Sequence, residues 1–194
     1  MLFKTNHPIT RRGGALLLLI AALIITGLAA FVAPVMADAP APNSGTANFE
    51  TNFMTDMIDH HAMAVHMGEM CLEKAIHEEL RMACEEIIAT QTQEIELMQS
   101  WLSSWYGITY EPQMNDGAMR QMEKMMAMSG EEFEIAFMED MIRHHEGAIR
   151  EAEKCLNRAY HQDLIDTCEN IIETQSAEIA EMEAWLCEWY SICK

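Results

Sequence analysis

The chain has few basic residues. Its 12 lysines and arginines stand against 31 aspartates and glutamates, which gives a formal net charge of -19 at pH 7. Proteins that bind nucleic acids need a basic surface to neutralise phosphates, so this balance argues against a nucleic-acid partner. An acidic surface is either merely solvated or attracts cations, and the net charge does not separate these two interpretations.

Several enzyme signatures are missing as well. The sequence contains no Gly-x-Ser-x-Gly segment and no glycine-rich phosphate loop, so a serine hydrolase or a nucleotide-binding enzyme has no support. Ferritin-like di-iron proteins carry Glu-x-x-His on two helices. Here the residues that precede the paired histidines by three positions are Met57, Ile58, Met141 and Ile142. We therefore expect a binding protein rather than an enzyme, and a ferritin-like di-iron oxidoreductase is the alternative.

Aromatic residues make up only 7% of the chain, and methionine, with 18 residues, replaces other apolar side chains. Methionine is an adaptable filler of helical cores, which accounts for some of these residues but not for their clustering with histidine. Residues 53–71, FMTDMIDHHAMAVHMGEMC, combine five methionines with three histidines. A similar segment, FMEDMIRHHEGAIREAEKC, returns at residues 137–155, and the match continues to the Trp-Tyr pairs at 105–106 and 189–190.

The chain therefore consists of two copies of one unit. Apolar residues recur every three or four positions, which predicts helices over residues 49–75, 78–105, 131–159 and 162–190. Two such hairpins bury their apolar faces only by packing together, so we predict an all-α four-helix bundle with approximate twofold symmetry. Within a bundle over 49–192, repeat one spans 49–106, a connection with a short methionine-rich helix spans 107–130, and repeat two spans 131–190. Ser129 and Glu132 match a capping box that would start the third long helix.

The first 37 residues resemble a secretory signal. Lys4, Arg11 and Arg12 precede an apolar run, and Val-Met-Ala at residues 35–37 resembles a cleavage site. An uncleaved membrane anchor is the alternative, because the run is nearly long enough to cross a bilayer. We predict cleavage, a linker over residues 38–48, and a protein in the periplasm or secreted, with no membrane attachment after cleavage.

The six cysteines fall into a repeated pattern. Two pairs flank the predicted hairpin turns at equal spacing, Cys71 with Cys84 and Cys155 with Cys168, which leaves Cys187 and Cys193. In an exported protein this pattern predicts one disulfide that pins each hairpin and a third between the two remaining cysteines. Thiolate ligation of a metal is the alternative.

If the cysteines are oxidised, the soft ligands that remain are thioethers. Thioether and imidazole suit monovalent copper, whereas carboxylates suit magnesium, calcium or manganese, and a thioether has no proton to lose. Residues three, four or seven apart lie on one helical face, and this spacing relates methionines and histidines throughout the chain. The candidate ligands in repeat one are Met54, Met57, His60, His61, Met63, His66, Met67 and Met70. Those in the connection are Met119, Met122, Met125 and Met126, and those in repeat two are Met138, Met141, His144 and His145.

Many of these candidates also have a purely structural interpretation. Met57 and Met141 fall on the inward stripe and serve equally well as core residues. The partners that could hold His61 and His145 as ordinary buried histidines are Gln91, Glu94, Gln175 and Glu178. The stripe of Met63, Met67 and Met70 stands beside acidic residues, which favours ligation, and the methionines of the connection are either ligands or a lid. For His77 and His161, which begin the second helix of each hairpin, we expect a turn or cap role.

The segment Phe-Met-x-Asp-Met-Ile-x-His-His at residues 53–61 and 137–145, followed by Gln-x-x-Glu-Ile at 91–95 and 175–179, resembles a ferritin-like family long labelled a domain of unknown function. The resemblance covers nearly all of residues 49–190. It implies a four-helix bundle that binds copper(I), and silver(I) as its mimic, and supports copper resistance. The ligand positions that it implies are Met54, Met57, His60, His61, Met138, Met141, His144 and His145. The cysteines and the extra methionines depart from a plain family domain and leave the number of copper ions open.

On this basis we expect an exported protein that buffers or sequesters copper(I), with metal ions as its ligands and a copper exporter or a copper protein as a partner. A metal-independent interaction module, whose acidic face docks a partner, is a further alternative.

Overall fold

The structure is a computed structural model that describes residues 39–114 and 116–193, apart from the side chains of Asp116 and Ala118. The predicted signal at residues 1–37 lies outside the described residues. The part of the predicted linker that is described begins at Ala39.

Five helices make up the regular structure of the described residues. They are α1 (Ser44–Lys74), α2 (Glu78–Tyr106), α3 (Asp116–Met126), α4 (Gly130–Arg158) and α5 (Gln162–Tyr190). Helix α1 packs along α2, α4 packs along α5, and the two hairpins meet through α1 and α4, while the short α3 contacts α1 and α4. The predicted all-α bundle of two repeated hairpins is confirmed.

One predicted helix start is wrong, and one predicted cap is confirmed in its position but not in its hydrogen bond. Helix α1 begins at Ser44 rather than at residue 49, because the side chain of Asn43 accepts a hydrogen bond of 2.9 Å from the backbone N–H of Thr46 and caps the first turn. Residues 44–48 are therefore helix and not linker. Ser129 is the N-cap of α4, but its side chain makes no capping hydrogen bond. Gly130 has a φ of 59°, outside the helical range, so the first turn lacks the regular geometry that a capping box needs.

The three predicted disulfides are confirmed. Cys71 is bonded to Cys84, Cys155 to Cys168, and Cys187 to Cys193. Next to the first of them, Gly68 permits a close approach of α1 and α2, because a Cβ atom at this position would lie 2.8 Å from the side chain of Ile88. Each hairpin is thus closed by a covalent bond beside its own turn.

Each hairpin also caps a helix of the other. Glu134 on α4 accepts hydrogen bonds from the backbone N–H groups of Ile76 and His77 at 2.6 and 2.8 Å, and the His77 ring lies 2.6 Å from the same carboxylate. The hydroxyl of Tyr190 donates to this carboxylate as well, and the His77 ring stacks on Trp189 with centroids 3.9 Å apart.

The second repeat shows the same arrangement in reverse. Glu50 on α1 accepts hydrogen bonds from the backbone N–H groups of Tyr160 and His161 and from the hydroxyl of Tyr106. The ring of His161 lies 2.7 Å from the Glu50 carboxylate and stacks on Trp105. The cap position predicted for His77 and His161 is confirmed, although it is a glutamate of the other hairpin, and not the histidine side chain, that caps each helix. We call these two clusters the glutamate clasps.

No helix among the described residues combines the length and the apolar character that a membrane span requires.

Candidate metal centre

Histidine, glutamine and glutamate side chains form a polar layer at the middle of the bundle. On one side of it lies an apolar cluster that includes Met138 and Met141, and on the other side lies a second cluster that includes Met54 and Met57. The helices α1 and α4 cross between these clusters and bring their double histidines together. The buried members of the layer are His61, Gln91, Glu94, His145 and Gln175, and they are joined by the half-buried His60, His144 and Glu178.

The second histidine of each pair lies against a carboxylate of its own hairpin. The Nε2 atom of His61 lies 2.6 Å from Glu94 Oε2, and the His61 side chain has no exposed surface. The Nε2 atom of His145 lies 2.7 Å from Glu178 Oε2, although this contact is not aligned as a hydrogen bond. The structural interpretation that the sequence left open for His61 and His145 therefore describes their contacts.

The first histidine of each pair meets its symmetry equivalent. The rings of His60 and His144 lie with centroids 3.6 Å apart and planes inclined by 34°. Among the described residues, no hydrogen-bond partner reaches His60 Nδ1 or either ring nitrogen of His144, all of which are buried atoms. Buried polar atoms nearly always have a partner, so this pair marks the layer as a place where ligand donors are kept available.

The surroundings keep these two rings neutral. Burial and, to a smaller extent, the neighbouring His61 and His145 lower the pKa of His60 to about 3. Burial also lowers the pKa of His144 well below its usual value, with His60, His145 and His61 acting in the same direction. A neutral imidazole has a free lone pair on one nitrogen, which is the form that binds a metal.

Four of the predicted thioether ligands flank the polar layer. Met54, Met57, Met138 and Met141 are all buried, and Met57 and Met141 lie one helical turn before the double histidines of α1 and α4. These methionines are core residues and neighbours of the histidines at once, so the two interpretations of Met57 and Met141 are compatible.

Of the remaining predicted ligands, Met63 lines a cavity together with His60 and His144, and the others are not gathered around the histidines. Met67 and Met125 are buried in the cluster of Met138, with Met70 packed against it, so Met67, which the sequence placed in a stripe beside acidic residues, is a core residue. His66 is exposed and lies 3.1 Å from Glu69. On α3, Met119 and Met126 are exposed and Met122 is half-buried.

One methionine near the layer was missed. Met114, which follows α2 in the connection, lines the same cavity as His60, Met63 and His144. It has no helical spacing to any other candidate, so only the path of the connection could have revealed it. Within the described residues, no three His, Cys, Asp or Glu side chains form a group that could hold a metal ion.

These observations define a class of protein, an all-α bundle of two repeated hairpins with paired double histidines at its centre. The family model described as "Domain of unknown function (DUF305)" matches residues 50–186. The chain belongs to the DUF305 family.

Solved structures of this family match the chain over most of its length. CopM in its Cu(I)-bound form is 30% identical, with a TM-score of 0.66 over 73% of this chain and 97% of CopM. CopM in its Ag-bound form gives 29% identity and a TM-score of 0.65 over 73% and 96% of the two chains, and a Cu(II)-bound form also matches. A DUF305 protein from Streptomyces coelicolor, described as secreted, is 25% identical, with a TM-score of 0.63 over 76% and 94% of the two chains. No curated protein matches the chain.

Proposed function

We propose that the chain is an exported copper(I)-binding protein that buffers or sequesters copper outside the cytoplasm and supports copper resistance. The observation that carries this proposal is the His60–His144 pair at the centre of the bundle, in which His60 Nδ1 and both ring nitrogens of His144 are buried and lack hydrogen-bond partners among the described residues. An unpaired buried polar group costs about 1–3 kcal/mol. A bundle that needed only stability would fill this place with apolar side chains.

The chemistry of the donors favours a soft monovalent ion. Neutral imidazole and thioether suit copper(I), and silver(I) shares its preference for sulfur. His60 and His144 supply nitrogen, while Met57 and Met141 supply sulfur one turn away. Because all six cysteines are in disulfides, no thiolate competes for the ion.

The solved structures of related proteins also support copper binding. CopM, which has the same fold, has been solved with Cu(I), Cu(II) and silver. The three disulfides fit an oxidising compartment, as does the relative described as secreted. We propose the periplasm as the location, binding without catalytic turnover as the activity, and a copper exporter or a copper protein as the partner that receives the ion.

A competition titration tests this proposal. Purified protein is mixed with copper(I) held by a coloured chelator under anaerobic conditions, and the loss of chelator colour is measured. We expect a dissociation constant well below about 1 μM, and a large loss of affinity when His60 and His144 are both replaced by leucine. Affinity no tighter than weak micromolar for the unaltered protein would overturn the proposal.

The two alternatives have separate readouts. A di-iron protein would develop iron-oxo absorption after aerobic loading with ferrous iron, and we expect none. A metal-independent interaction module would retain the same partner in pull-downs with and without copper, whereas we expect partner binding that depends on the metal.

A further inference from the structure

A cavity of about 390 Å³ reaches from the surface to the paired histidines. Its walls include Asp56, Asp59, His60, Met63, Met114 and His144. The half-buried Met63 belongs to α1, and the half-buried Met114 belongs to the connection after α2. Two thioethers and two imidazoles therefore face one solvent-accessible space, although they come from three separate parts of the chain.

The connection is held in this place by hydrogen bonds. The hydroxyl of Tyr110 donates to Asp59 Oδ2 at 2.8 Å, and the backbone N–H of Gln113 donates to Asp59 Oδ1 at 2.6 Å. The side chain of Gln99 donates to the carbonyl of Tyr110 at 2.9 Å. Both oxygens of Asp59 thus accept hydrogen bonds from the segment that precedes Met114.

The histidines that line the cavity have ring nitrogens available as metal ligands. Both ring nitrogens of His144 are buried, and neither has a hydrogen-bond partner among the described residues. Next to it, a Cβ atom on Gly147 would lie 3.3 Å from His60 Nε2, so the glycine keeps space open beside this nitrogen. Gly147 occupies the position in repeat two that Met63 occupies in repeat one.

The carboxylates of Asp56 and Asp59 also line the cavity. Negative charge raises the local concentration of cations. A cation drawn into the cavity therefore meets walls that carry Met63, Met114 and the two imidazoles.

We propose that Met63, Met114 and the His60–His144 pair form a capture site, open to solvent, through which a monovalent soft cation from solution enters the polar layer. This inference rests on the proposed function, because the imidazoles are shared. It adds Met114 as a ligand and Asp59 as the residue that positions it. Repeat two has glycine in place of Met63 and no segment like residues 107–114 within its described residues, so each chain has one capture site.

Counting silver ions by native mass spectrometry tests the inference. Met114→Leu removes the sulfur but keeps an apolar side chain of similar volume, and Met82→Leu, on the exposed surface of α2, is the matched control. We expect Met114→Leu to bind one silver ion fewer than the unaltered protein and Met82→Leu to bind the full number. Circular dichroism of each variant verifies that the fold is intact.

Methyl NMR gives a second measurement on the same variants. In protein labelled at the methionine methyl groups, substoichiometric silver should shift the signals of Met63 and Met114, which the variants Met63→Leu and Met114→Leu assign. If the unaltered protein binds silver but Met114→Leu binds equally many ions and the Met114 signal never moves, the capture site is overturned while the proposed function stands. If the unaltered protein binds neither silver nor copper(I), both are overturned.

Discussion

At the scale of single residues, the decisive feature is that two adjacent histidines have different contacts. His61 lies on the inward stripe of α1 and is occupied by Glu94, whereas His60 turns toward α4 and meets His144. The sequence predicted that both histidines of each pair are candidate ligands and that the second could be held by a carboxylate. It could not show that the first histidines of the two pairs meet each other, because that contact depends on how α1 packs against α4, and helical periodicity carries no information on this packing.

Replacing His60 and His144 together by leucine should separate function from stability. Copper(I) affinity should fall at least tenfold, because two nitrogen ligands are lost. The free energy of unfolding of the metal-free protein should rise by about 1–3 kcal/mol, because buried polar atoms without partners are removed. Chelator competition and urea denaturation measure the two effects. A destabilised apo protein would show that the pair serves the fold rather than a ligand.

At the scale of elements, the glutamate clasps fix how the two hairpins pack. Glu134 and Glu50 each satisfy backbone N–H groups at the start of a helix in the opposite hairpin. Sequence reasoning placed His77 and His161 at these helix starts but missed both glutamates. Their distance in sequence from the helices that they cap is large, and no local motif connects them.

The variant Glu134→Gln should lower the free energy of unfolding by roughly 2–3 kcal/mol, since hydrogen bonds to a charged group are among the stronger ones. The amide also places N–H groups where the carboxylate accepted hydrogen bonds. Glu132→Gln, at an exposed position of the same helix, is the control and should change stability little. Urea denaturation followed by circular dichroism measures both variants. Equal stability of the two would show that the clasp contributes nothing.

The clasps also predict a response to acid. Burial alone would raise the pKa of Glu134, but hydrogen bonds from the His77 backbone, Tyr190, the His77 ring and the Ile76 backbone lower it. Burial would likewise raise the pKa of Glu50, and hydrogen bonds from Tyr106, His161 and Tyr160 lower it. A lowered carboxyl pKa means that the unfolded chain binds more protons, so the stabilisation is complete above the ordinary value of 4.5 and is lost as the pH falls below it.

Metal-free protein should therefore lose stability steadily below pH 4.5, and the double variant Glu50→Gln with Glu134→Gln should lose less over the same range. Thermal unfolding at a series of pH values measures this difference. Parallel curves for the two proteins would mean that other carboxylates cause the acid sensitivity.

At the scale of the whole molecule, α3 breaks the twofold symmetry that the repeats establish. It covers the groove beside Phe133 and Phe137, where Met125 is buried and Lys74 donates to the carbonyl oxygens of Met126 and Met128.

The equivalent groove beside Phe49 and Phe53 is open and contains a cavity of about 630 Å³. The sequence predicted the short methionine-rich helix and its lid interpretation, but not which groove it would cover, because both grooves have nearly the same residues.

The disulfides act within the hairpins and leave the contact between them to noncovalent forces. Each hairpin disulfide joins residues that are 13 positions apart, and no disulfide among the described residues links α1 or α2 to α4 or α5.

Replacing Cys71 and Cys84 together by serine should lower the free energy of unfolding by about 3 kcal/mol, the loop-closure estimate for a loop of this size. Copper(I) affinity should persist below the unfolding temperature, because the His60–His144 pair is formed by α1 and α4. Lost affinity in a folded variant would contradict this separation.

The central claim is that copper(I) binds at the polar layer in the middle of the bundle. Anomalous diffraction at the copper absorption edge, from crystals of protein loaded with copper(I) without oxygen, tests it most directly. The account predicts a strong copper peak within bonding distance of the His60 or His144 ring and of at least one methionine sulfur. Copper peaks confined to the exposed methionines of α3, with the histidine pair unchanged, would contradict it.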